Sequence, residues 1–160
     1  MATNQVSRII CSFVLLFLVL FTISPVSGVV IQNRSAILAL TITDASYTVA
    51  GNDGIENDAL VLFTITVTEL RQSEIRFGIR LKLALPSGTS YIYDYLAICT
   101  SNGIYDLIAY FYNHATESGN YRVDITITLM RNSATESYIF DPPGSSSGTD
   151  PLACNVLVSK

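Results

Sequence analysis

Along most of this chain apolar residues fall on every second position. From residue 121 onward, Tyr121, Val123, Ile125, Ile127 and Leu129 point one way, while Arg122, Asp124, Thr126, Thr128 and Met130 point the other. That is the period of a strand with one face on a core and the other in water. The same pattern predicts strands over 36–43 (running on raggedly to 49), 60–70, 74–85, 89–100, 104–113 and 134–141, with 121–130 the sixth in order. Polar turns separate them, among them Gly51-Asn52-Asp53-Gly54, Pro86-Ser87-Gly88 and Ser101-Asn102-Gly103. No stretch after residue 28 has a helical period. The pattern predicts an all-β fold, a seven-stranded antiparallel sandwich spanning 36–141.

The ends of the chain read differently. Residues 9–23 are uncharged and follow Arg8, the only charged residue of the first 28. Fifteen uncharged, mostly apolar positions are short for a spanning helix, which needs ~20, but suit the hydrophobic helix of a signal peptide. Ser24-Pro25 ends that helix, and Val26-Ser27-Gly28 supplies small residues for cleavage before Val29. Residues 1–28 are therefore expected to be a signal peptide, with an uncleaved single-pass anchor as the alternative. Residues 29–35 form a lead-in containing the glycosylation sequon Asn33-Arg34-Ser35. Residues 142–160 are expected to be a flexible tail, since 142–151 are dominated by Pro, Gly and Ser.

Charge narrows the function classes. The whole chain carries a formal −4, and losing Arg8 would take it to about −5. Such a surface has no electrostatic reason to bind nucleic acid or an anionic membrane, so contact with a membrane is expected only through an uncleaved N-terminal segment. The secreted part would keep two cysteines, Cys99 and Cys154. These permit one disulfide tethering the tail to the body, but equally two free thiols or an intermolecular bridge.

A seven-strand pattern whose sixth strand opens on a tyrosine after a glycine-containing loop resembles the immunoglobulin-like and fibronectin-III-like sandwich domains of prokaryotic-type secreted and cell-surface proteins. In that class a tyrosine at the start of the penultimate strand bonds back to the loop before it, the tyrosine corner. The resemblance gives this structural role to Tyr121, with 115–119 as the receiving loop. The ending Phe140-Asp141-Pro142-Pro143-Gly144 is similar to a last strand running into a linker. The antibody branch is a poor match. It places cysteines on its second and sixth strands and a tryptophan on its third, and this chain has no tryptophan at all.

Candidate chemistry is sparse. Asp53, Glu56 and Asp58 lie on a Gly-rich loop that resembles the calcium loops of some secreted repeat proteins; clustered oxygens on a tight turn are what calcium needs. The same residues are also the ordinary residues of an acidic turn. Tyr91, Tyr93 and Tyr95 share one face of the fourth strand, and Tyr110 and Tyr112 one face of the fifth. If those strands are neighbours, the five rings form an aromatic platform for a sugar. Otherwise they pair across strands or face the core. Arg76, Arg80 and Lys82 line the outer face of the third strand as a solvated stripe. The chain has one histidine, His114, so a histidine cluster is impossible within it. Asp94 and Asp106 fall on adjacent predicted strands and are a candidate carboxylate pair for glycosidase-like chemistry.

These readings converge on a non-catalytic extracellular or cell-surface module for interaction, adhesion or structure, with an unknown protein or glycan partner. The alternative is a carbohydrate-binding module using the tyrosine strands. No cofactor is expected other than calcium.

Overall fold

The computed structural model describes residues 28–33, 36–51, 54–140 and 153–159. Residues 1–27 of the expected signal peptide, the sequon positions Arg34 and Ser35, and the Pro/Gly/Ser-rich stretch lie outside them. Nine strands and no helix occur among the described residues: β1 Val29–Asn33, β2 Ala36–Thr48, β3 Asp58–Thr68, β4 Ile75–Ala84, β5 Ser90–Cys99, β6 Gly103–Tyr112, β7 Tyr121–Leu129, β8 Asn132–Phe140 and β9 Ala153–Ser159.

The strands form two antiparallel sheets. One has the order β1-β2-β3-β6-β9, the other β5-β4-β7-β8. The alternation seen in the sequence becomes burial. On β3, Val61, Phe63, Ile65 and Val67 face inward with almost no exposure; Phe77, Ile79, Leu81 and Leu83 do so from β4, and Val123, Ile125 and Ile127 from β7. All belong to one apolar cluster between the sheets, which gives a sandwich-like arrangement. Burial of this kind is the main stabilising force of such a fold, about 1.5–3 kcal/mol for each fully buried aliphatic side chain.

The seven expected strands correspond to β2 to β8, but seven was an undercount. β1 lies within the expected lead-in and pairs with β2, Val29 opposite Leu40 and Asn33 opposite Ala36. β9 lies within the expected tail and pairs with β6, Cys154 opposite Phe111 and Val158 opposite Leu107. Both are short, and on β9 the apolar run Val156, Leu157 and Val158 blurs the alternation. Position in the sheet, at either edge of an already formed ladder, is what makes them strands.

The ragged reading of β2 has a cause as well. Its register against β3 slips between Ile42 and Asp44, and such a bulge inserts a residue and resets which side chains point inward. Before the slip Leu38, Leu40 and Ile42 are buried; after it Ala45 is, while Asp44 is exposed. The Ile42 amide donates instead to Glu136 Oε2 on β8 at 3.1 Å, joining the two sheets along that side.

Candidate functional site

The five tyrosines do not form one surface. β5 is an edge of the four-stranded sheet, whereas β6 lies inside the five-stranded sheet between β3 and β9. A short turn such as 100–102 looks like a hairpin in sequence, yet it also suits a chain that passes from one sheet to the other. Asp94 and Asp106 are separated for the same reason. Asp94 accepts two bonds from Arg80, at 2.7 and 2.9 Å, which hold its carboxyl below the usual range. Asp106 accepts from Thr64 Oγ1 at 2.9 Å on the other sheet.

Tyr91, Tyr93 and Tyr95 are half-buried on the inner side of β5, while Ile92, Leu96 and Ile98 alternate with them on the outer, exposed side. Tyr91 and Tyr93 close around His114, which is wholly buried in the loop after β6. The Tyr91 ring meets the imidazole edge-on at 4.6 Å between centroids, and Tyr93 and Phe111 flank it at 5.7 Å. Nδ1 is 2.7 Å from the Tyr112 carbonyl, which can only accept, so this nitrogen carries the proton. Nε2 then accepts from the Tyr93 hydroxyl at 2.8 Å. Burial lowers the His114 pKa and raises that of Tyr93, so both stay neutral near pH 7. Nothing in the sequence announced this cluster except a lone histidine after an aromatic strand.

Asp58 is also wholly buried, at the start of β3. Its Oδ2 accepts from the amides of Ala50 and Gly51 at 2.7 and 2.6 Å, and its Oδ1 from that of Asn113 at 2.7 Å. The carboxylate thereby clamps the β2–β3 loop to the loop after β6. Of the other two calcium candidates, Glu56 sits on this loop and Asp53 lies outside the described residues. Among the described residues no three His, Cys, Asp or Glu side chains gather where they would hold a metal ion.

Cys99, the last residue of β5, and Cys154, the second of β9, are both free and buried. Burial raises the pKa of each thiol, that of Cys154 to about 11, so neither is a ready nucleophile. Arg76 and Arg80 are exposed and paired with Glu74 and Asp94.

Tyr110 and Tyr112 point to the outer face of the five-stranded sheet, since Ala109 and Phe111, which alternate with them, are buried. Their rings are nearly parallel, 17° apart with centroids at 6.0 Å. The register puts Leu60 and Asn155 on either side of Tyr110, and Leu62 and Leu157 on either side of Ile108. Leu60, Leu62, Ile108 and both tyrosines are half-buried, and Leu157 is exposed. This apolar and aromatic half-face is the candidate site. Toward the other end of the same strands it gives way to Thr64, Thr66 and Asp106.

Compared with models of protein families, with curated proteins and with solved structures, the chain shows no match.

Proposed function

We propose that this chain is a non-catalytic extracellular or cell-surface interaction module that binds a partner through the outer face of the five-stranded sheet. The observation that carries the reading is the half-face made by Leu60, Leu62, Ile108, Tyr110, Tyr112 and Leu157. A contiguous, partly exposed apolar surface with tyrosines is the kind of place where a partner docks.

Kinship with immunoglobulin-like and fibronectin-III-like domains is part of the proposal. It is supported by the division of β2 to β8 into three strands in one sheet and four in the other. It is supported further by the Tyr121 hydroxyl, which bonds the backbone of Glu117 four residues upstream as a tyrosine corner does. Secretion by way of residues 1–28 belongs to the same reading.

The parallel Tyr110 and Tyr112 rings favour one second reading, a glycan ligand, because such rings stack on sugar faces and their hydroxyls hydrogen-bond. An array carrying glycans beside extracellular matrix proteins separates the two. Saturable binding to a matrix protein, lost in both Leu62→Arg and Tyr110→Ala, is the expected result. Glycan binding lost in Tyr110→Ala and Tyr112→Ala would favour the second reading, and binding untouched by all three substitutions would remove this face from consideration.

A further inference from the structure

The sandwich is closed on one side and gapes on the other. Ile42 and Glu136 join β2 to β8, whereas the opposite edges, β5 and β9, are bridged by the Tyr95 hydroxyl donating to the Cys154 carbonyl at 2.6 Å. From that bond toward the ends of both strands the edges stand apart. The inward-facing side chains of β9 record the separation: Cys154 is 7% exposed, Val156 is intermediate, and Val158 is 68% exposed although it pairs opposite the buried Leu107.

The gap is a cavity of about 340 Å³. Ile65, Phe77, Ile79 and Leu107 form its floor, and Leu96, Ile98 and Val158 its rim. Its two tyrosine hydroxyls are already engaged, Tyr95 with Cys154 and Tyr105 with the Ser101 carbonyl at 2.8 Å. A polar ligand would find few partners there, while an apolar one would cover side chains that now meet water. The volume falls within the ~300–1,000 Å³ range of small-molecule sites. It is about twice that of an apolar cavity of ~150 Å³ that holds benzene.

We infer that this cavity binds a small apolar ligand, of the size of a two-ring aromatic or a medium alkyl chain, entering between β5 and β9. This site is separate from the outer-face site and does not rest on it.

Cys99 lies in the cavity wall and Cys154 does not, so the two thiols report on it together. The rate at which methyl methanethiosulfonate modifies each cysteine is measured with and without naphthalene or 1-octanol. Selective slowing of Cys99, by about tenfold at a ligand concentration ten times Kd, is the expected result for at least one of them. Ala97→Leu, which fills the cavity from its wall, should abolish that protection while leaving the melting temperature unchanged or higher. Should this variant fail to fold, methyl NMR of the unmodified protein serves instead, with saturable shifts expected at Ile98, Leu107, Val156 and Val158. No saturable effect from either compound, equal slowing of both cysteines, or protection that survives in a folded Ala97→Leu would overturn the inference.

Discussion

The Tyr121 hydroxyl and the Glu117 backbone bond each other twice: the amide donates to the hydroxyl at 2.7 Å, and the hydroxyl donates to the carbonyl at 2.8 Å. Tyr121 itself is wholly buried, its ring against Tyr47 and Phe140. The Glu117 side chain continues the link, accepting from the Ser87 amide and hydroxyl, each at 2.7 Å. One phenol thus holds the loop before β7 and, through it, the turn between β4 and β5.

Tyr121→Phe keeps the ring and orphans both backbone groups of Glu117. It should cost about 1–3 kcal/mol. Urea unfolding checks this, with a lower midpoint and an unchanged slope expected. A wild-type midpoint would mean that the hydroxyl contributes nothing.

Asp58→Ala should cost more, about 3 kcal/mol or above, because three backbone amides lose a charged acceptor in a buried site. Hydrogen exchange at Ala50, Gly51 and Asn113 should accelerate together. If Asp58 served calcium instead, a chelator would lower the melting temperature of the unmodified protein.

His114 makes stability fall in mild acid. Its folded pKa lies below the ordinary value of about 6.5, so between the two the unfolded chain binds more protons. Unfolding free energy should therefore be at its plateau above about pH 7 and decline as pH drops through 6.5 toward the folded value. His114→Asn should be less stable overall yet flatter between pH 7 and 5.5, a window above the usual carboxylate range. An equal slope in both proteins would assign the pH dependence to another group.

Gly119 and Gly88 offer a matched pair of substitutions. Both have positive φ, 118° and 90°. A Cβ on Gly119 would lie 3.3 Å from Cβ and Cγ of Pro86, while one on Gly88 would meet nothing within 4 Å. Gly119→Ala should lower the melting temperature more than Gly88→Ala does, each carrying backbone strain of about 1–3 kcal/mol.

What the sequence discloses and what it hides follow from the same alternation. On β3, β4 and β7 one face is apolar and the other largely polar, so both the strand and its inward side are legible. β5 has tyrosines on one face and Ile92, Leu96 and Ile98 on the other; the period is plain, but neither face is polar enough to mark the outside. Which sheet β5 joins depends on contacts with β4 across the Pro86-Ser87-Gly88 turn, and no local pattern records them. The His114 cluster and the cavity are likewise products of pairing between distant segments. Tyr121 was legible because its partner lies four residues away.

The order β1-β2-β3-β6-β9 also has a mechanical consequence. Every neighbour in that sheet is antiparallel, so β1 and β9, four interstrand steps or ~19 Å apart, run in the same direction. Tension entering at Val29 and leaving at Ser159 would pull from opposite ends of the sheet, along the strands. The β1–β2 and β6–β9 ladders would then carry the load in shear, many hydrogen bonds at once, instead of opening one bond at a time.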